Sequence, residues 1–355
     1  MRIISQLVPS GQPVSTDIES LRKPRNNIWE IPTWGHPLAL GVYPFFLKKD
    51  QNLIPVGTTF CVSKFGVAMT ASENIHESVR RHCCSNFLSD GKKLSVHSAM
   101  REIEMAVFHH QSLPGGIFSG SIPNLECVDE ASPTDICYVI PRFQNGLLYL
   151  QLPLSFAVPR VGSRVICVGY SKLPVPDEGF SLGDIISKRI DLLSIYEHRF
   201  LATEARVTHI FTNRFTHEFV GGPCLIIDAE IEQGMIGGPV FSEDGYVCGI
   251  ISAASTNFFG KPASIISLLY PALGKNVKFG GDIGSLRINS NRRLTELIAQ
   301  GVVITDNSEN LVTKHIVNGQ VTLNPVIHGE DTACIYDDFP AFQKGRYSNK
   351  EPRDV

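Results

Sequence analysis

Long apolar runs are missing from these 355 residues. No stretch approaches the roughly 20 residues that a membrane-spanning helix needs, so no membrane partner is expected. A surplus of one charge is missing too: 32 Lys and Arg stand against 35 Asp and Glu, a formal net charge of -3. The basic residues come singly or in pairs and leave no electrostatic footprint for nucleic acid. An even cysteine framework is the third absence. The nine cysteines are Cys61, Cys83, Cys84, Cys127, Cys137, Cys167, Cys224, Cys248 and Cys334. Several lie inside apolar runs such as "DICYVI" and "RVICVGY", where buried free thiols fit better than disulfides and point to a reducing, cytoplasmic compartment. The opening "MRIISQLVPSGQP" has one arginine and an apolar stretch broken at Pro9, which is no secretory pattern. No metal or other cofactor is expected. The one cluster to weigh, His76, His82, Cys83 and Cys84 in "HESVRRHCC", has adjacent cysteines poorly placed for one tetrahedral ion and no second ligand pair downstream.

What the chain has instead is strand after short strand. "PVGTTFCVSKFGVAMTA" reads as two strands around a turn at Lys64-Phe65-Gly66. "TDICYVI", "GLLYLQLPL", "RVICVGYS", "ARVTHIF", "PCLIIDA" and "PASIIS" continue the pattern. "FSEDGYVCGI" predicts a hairpin turning at Asp244-Gly245. No long 3.6-period pattern precedes the C-terminal part. There "SNRRLTELIAQG" predicts a helix from Ser290 to Gln300, capped by Ser290, striped by Leu294, Leu297 and Ile298, and stopped by Gly301. "VVITDNSENLVTKHIVNGQVTLNPVI" suggests a small hairpin, and "QKGRYSNKEPRDV" a mobile tail.

One stretch carries the functional question. "IEQGMIGGPVF" sets Gly234, Met235, Ile236, Gly237, Gly238 and Pro239 in a glycine-supported turn before the predicted hairpin. With "LIIDAEIEQGMIGGPVFSEDGYVCGIIS", "GTTFCVSKFGVAMTASEN" and "TDICYVI", it makes the chain resemble the trypsin-like (chymotrypsin-fold) serine peptidases, in particular their disulfide-free bacterial and HtrA-like branch. The resemblance spans about residues 36–283, with the blocks in the family's order. It implies an all-β fold of two antiparallel six-stranded β-barrels, with a short helical and mixed C-terminal extension. The expected divisions are an N-terminal arm (1–35), a first barrel (36–150), a second barrel (151–283) and the extension (284–355).

The resemblance also implies a degenerate site. The family's histidine position falls on Glu73, its aspartate position on Asp135 and its serine position on Ile236. Isoleucine has no lone pair to attack with, and Glu73 has no hydroxyl or thiol at 236 to activate. Two facing carboxylates would raise one pKa unless a cation or water intervenes. The turn of Gly234, Ile236, Gly237 and Gly238 survives, so the N–H groups of Gly234 and Ile236 are expected to remain as vestigial oxyanion donors able to hold a peptide carbonyl. Glu230 matches the base of the family's specificity pocket, with Ser252 on its wall. The neighbouring candidates for a displaced chemistry are His76, Ser72, Ser242 and a Cys84–His82 pair, none of them on a glycine-flanked turn. The expected function is a catalytically inactive pseudoprotease that binds a peptide or protein, with no cofactor. The alternatives are a structural or assembly protein with a closed cleft, and an active hydrolase using a displaced nucleophile.

Overall fold

The computed structural model describes residues 27–33, 36–49, 51–63, 66–83, 104–113, 117–121, 125–130, 134–141, 150–173, 179–217, 220–258, 261–279, 282–283, 286–287, 290–317, 320–325 and 335–338. Its main strands are β1 (Ile28–Glu30), β2 (Val42–Lys49), β3 (Asn52–Cys61), β4 (Ala68–Ala71), β5 (Glu104–Val107), β6 (His109–Leu113), β7 (Ile117–Ser121), β8 (Leu125–Glu130), β9 (Ile136–Pro141), β10 (Arg164–Tyr170), β11 (Phe180–Ser181), β12 (Phe200–His217), β13 (Val220–Ile227), β14 (Pro239–Phe241), β15 (Val247–Phe258) and β16 (Lys261–Leu268).

The continuous apolar runs follow from burial on both faces of the strands. In β2, Val42 and Phe46 join the large core between the sheets. Their neighbours Tyr43, Phe45 and Leu47 point the other way, into a separate cluster with Cys61, Ala68, Cys137 and Val139. With period 2, each face receives alternate residues, so neither face is left for polar side chains.

The architecture is all-β. β12, β10, β14, β15, β16 and β13 are joined in that order, and a β12–β13 ladder closes them into a six-stranded barrel. β1 adds to the start of β12, pairing Ile28–Glu30 with Leu201–Thr203, so this piece of the N-terminal arm belongs to the barrel's sheet. The other sheet runs β5-β2-β3-β4-β9-β8 and is curled but open, with no ladder from β5 to β8 among the described residues. The sequence predicts two closed barrels; the structure closes one. After β5 the chain continues into β6, which folds back on β7 as a separate hairpin, so that length of strand does not reach β8.

Two helical expectations are corrected. A twelve-residue helix, Ser72–Cys83, follows β4. Buried Ser72, Asn74 and Ser78 stand beside buried Ile75 on its described part, so polar residues interrupt the inner face that the sequence would show. The C-terminal helix spans only Leu294–Ala299, and its cap position, Arg293, makes no side-chain hydrogen bond. Ser290 is not a cap but the first residue of a strand, Ser290–Arg293, paired with Asn276–Phe279. Gly301 follows the helix with φ +64°. Leu294 and Leu297 are buried in the large core, and the helix packs on the 3-10 turn Tyr270–Gly274.

Two connections tie the halves together. Gln151 Nε2 donates to Val62 O (3.2 Å) and Val302 O (2.9 Å), and Leu154 N–H donates to Ile304 O (2.9 Å). The segment Ser171–Arg199 leaves the barrel after β10, pairs β11 with Asn52–Leu53 of the open sheet, and returns to β12. On the way back Tyr196 sits edge-on to Phe46 and Tyr170, with Phe200 stacked on Tyr170. The hairpin expected after the C-terminal helix pairs Thr313–Val317 with Gln320–Asn324. The arm before residue 27 and the tail after 338 lie outside the described residues.

Candidate functional site

The turn after β13 shows what its glycines are for. Gln233–Met235 form one 3-10 turn, and Ile236 follows in extended conformation at φ -53°, ψ 133°. Gly237 then takes φ +87°, and a Cβ there would lie 2.1 Å from Thr58 O. At Gly238 a Cβ would lie 2.1 Å from Val168 O. Backbone pressed against backbone at two successive residues admits only glycine. Close packing therefore explains the Gly-Gly pair, Gly237 against the open sheet and Gly238 against β10 of its own barrel, with no appeal to chemistry.

Ile236 is held from both sides. Its carbonyl accepts from Thr58 N–H (2.8 Å) and from Asn74 Nδ2 (2.8 Å). Thr58 Oγ1 donates to Gly234 O (2.9 Å) and accepts from Tyr170 N–H (3.0 Å). The expectation that the Ile236 N–H waits as a donor for a ligand carbonyl is corrected: it donates to Gln233 O at 3.2 Å. An i to i+3 bond of this kind is what a 3-10 turn makes, and it uses up the donor an oxyanion would need. The half-buried side chain packs against the large core.

The helix Ser72–Cys83 brings the other positions alongside. Asn74, the residue next to Glu73, reaches Ile236 directly, and its Nδ2 also donates to Thr70 Oγ1 (2.9 Å). Glu73 N–H donates to Asp135 Oδ1 at 3.2 Å, and Ser72 N–H to Asp135 O at 3.3 Å. Glu73, Asp135 and Ile236 thus lie around one junction of helix, open sheet and barrel. Asn74 is the residue that sequence reasoning missed. Inside "TASEN" it reads as a polar residue facing water, and nothing local signals that its amide closes the junction.

Asp135 is only 5% exposed. Burial pushes its carboxyl up to about 8. The nearby Ser252 hydroxyl and the Glu73 N–H oppose that rise, the Glu73 carboxylate adds to it, and His76 opposes it. Ser252 Oγ bonds Ser267 Oγ (2.7 Å) and Ile250 O (3.4 Å), and Asp135 Oδ2 finds no hydrogen bond of good geometry. At neutral pH the acid is mostly protonated. With Glu73 beside it and no imidazole at that position, it has no imidazolium to steady.

The remaining sequence candidates fall into place around this junction. Ser72 is buried, with its hydroxyl sealed away from water. Ser242 stands in the β14–β15 hairpin, where its carbonyl accepts from Gly245 N–H at 3.0 Å. Glu230 is exposed, whereas Ser252 is fully buried. The side chains of His82 and Cys83, and all of Cys84, lie outside the described residues. Cys61, Cys137, Cys167, Cys224 and Cys248 are buried and form no disulfide. Burial pushes Cys61 and Cys248 up to about 12 and raises Cys167 and Cys224 well above the usual thiol range, so none of these is a thiolate at neutral pH. Among the described residues no group of three His, Cys, Asp or Glu is placed to hold a metal, and no helix is long and apolar enough to cross a membrane.

No protein-family model matches the sequence, and no curated protein matches it either. Solved structures show a likeness of fold. The protease domain of MamO from Magnetospirillum magneticum is similar at 14% identity and TM-score 0.40, over 66% of this chain and 94% of that one. The Rv3671c protease of M. tuberculosis in its active form is similar at 15% identity and TM-score 0.39, over 67% and 82%. Deg5 is similar at 15% identity and TM-score 0.38, over 64% and 84%.

Proposed function

We propose that this chain is a catalytically silent protein of trypsin-like architecture, cytoplasmic, that binds an extended segment of a peptide or protein partner beside the Ile236 turn. What supports the loss of chemistry is the state of that turn. Position 236 offers no nucleophile, and its N–H is already bonded to Gln233 O. What supports binding is the edge of β15. Its ladder with β14 ends at Ile250, while its ladder with β16 continues to Phe258. From Ser252 onward no second strand covers that edge among the described residues. An uncovered strand edge takes an extended peptide through main-chain hydrogen bonds, with no need for a reactive group.

The bonded Ile236 N–H also favours a second reading, a structural protein whose junction is closed. One experiment separates the two. Peptides enriched by panning a random library on the whole protein are bound back to it and followed by hydrogen exchange. The binding reading expects new protection of the amides of residues 252–258. Protection confined to other surfaces, or no enrichment, would leave the closed structural reading.

A further inference from the structure

Strand β12 outruns the strands that flank it, and the surplus leaves an edge to cover. Over Phe200–Arg206 it pairs with β10 on one side, and from Val207 onward with β13 on the other. Next on the β10 side, Val207 N–H donates to Ser163 O (3.0 Å) and accepts at its carbonyl from Gly162 N–H (2.7 Å). There the chain turns at Gly162, whose φ is +84°. Past Val207 no barrel strand pairs with this edge of β12 among the described residues. Its main-chain donors and acceptors need another partner.

The strand Ile335–Asp338 takes that edge, pairing Ile335 with Ile210, Tyr336 with Phe211 and Asp338 with Arg214. The ladder is a weak one. It is parallel, which is slightly less stable per residue, whereas the ladders closing the barrel are antiparallel. Its register shifts between Phe211 and Arg214. Ile335–Asp338 also pairs with no second strand among the described residues. The accepting strand is held by the barrel itself. Ile210 belongs to the large core, and Phe211 packs with Cys224 and Ile226 of β13, Ala253 of β15 and Ile265 of β16. A firm edge therefore lies against a short, lightly paired strand.

The occupant also shows what the edge accepts. "IYDD" is an apolar and an aromatic residue followed by two acids. In register, the first two stand opposite Ile210 and Phe211, and Asp338 stands opposite Arg214. Main-chain bonding admits an extended segment, and residue types in register select among such segments.

We propose that the β12 edge from Ile210 to Arg214 is a strand-accepting site that the chain closes on itself. Ile335–Asp338 fills it in cis, and an extended partner segment of the same chemistry, apolar residues followed by acidic ones, replaces that strand. The site is on a different strand from the β15 edge and does not depend on it.

Two measurements on the whole chain test this. In the wild type, native-state hydrogen exchange is expected to release the amides of 335–338 on the order of 100-fold faster than those of Arg164–Tyr170, by an opening that leaves β10 and β12 paired. Exchange of 335–338 only when the whole barrel unfolds overturns the proposal. The second measurement uses the chain carrying Ile335→Pro and Tyr336→Pro together. Successive residues of a strand direct their N–H groups to opposite edges, so one of the two prolines removes a ladder donor whichever way the strand faces. The probe is a blocked synthetic peptide of residues 335–339, "IYDDF". It is expected to bind this variant one to one and to protect amides within 210–214. A tethered competitor acts at an effective concentration in the millimolar range, so binding to the wild type is expected to be roughly tenfold weaker. The same peptide with Asp337→Lys and Asp338→Lys is expected to lose most of its binding. Equal binding to wild type and variant, indifference to the lysine changes, or protection confined to 252–258 overturns the proposal. So does a dimer in sedimentation, in which a second copy fills the edge.

Discussion

Asn74 carries more of the junction than its place in the sequence suggests. It is buried at 2% exposure, and its amide donates to Ile236 O and Thr70 Oγ1, with a longer contact to Thr58 O at 3.4 Å. In Asn74→Ala, Ile236 O keeps the Thr58 N–H and Thr58 O keeps the Thr70 hydroxyl, so no acceptor is orphaned. The expected loss of stability is about 1–2 kcal/mol. Asn74→Asp places an acceptor against those same carbonyls and is expected to cost more at neutral pH, despite its matching shape. Denaturant midpoints of the two variants check this, and an Asp variant as stable as the Ala variant would contradict it. At this scale the sequence was informative about what is absent. Ile236 and Glu73 are visible in "GMIGG" and "TASEN" because a hydroxyl and an imidazole are missing from a recognisable frame. The reach of Asn74 to Ile236 and the burial of Asp135 were hidden, because a side chain's long-range partner leaves no mark on its neighbours in sequence.

Among the elements, legibility follows the length and regularity of the pattern. The β14–β15 hairpin was readable from Asp244-Gly245, and Gly245 sits there at φ +83°. The two-residue strand Phe180–Ser181 was not, since two residues carry no period, although it joins the barrel's loop to the open sheet. Ser290 misled because Ser before an apolar stripe is a good cap signal, and the pairing of Ser290–Arg293 with Asn276–Phe279 overrides it. The stripe itself was real. Leu294 and Leu297 are buried at 0% and 3% exposure within the chain's own core. Leu297→Asp would place a charge there, and a loss on the order of 3–5 kcal/mol is expected. Thermal unfolding reads the loss, and sedimentation is expected to show an unchanged mass for the fraction that remains folded. Unchanged melting would mean that the helix does not dock as described.

Over the whole molecule, the closed barrel and the open sheet meet where Thr58, Asn74 and the Gln233–Gly238 turn interlock. The order of the sequence blocks pointed to this meeting place. The openness of the sheet did not show, because closure depends on where β6 and β7 go and not on how any strand reads by itself. The glycines fit the turn closely against Thr58 and Val168, and the side chains around it are those of Ile236, Glu73 and a mostly neutral Asp135. Ile236→Ser alone is expected to stay inert. The new hydroxyl would face a carboxylate whose unperturbed pKa near 4.3 makes it a weak base at neutral pH, with the 236 N–H still bonded inward. The central claim is loss of serine-protease chemistry, and labelling with a fluorophosphonate probe tests it most directly, on the wild type beside Ile236→Ser, Glu73→His and the double variant. No labelling of the wild type or of either single variant is expected. Specific, stoichiometric labelling of the wild type would contradict the claim.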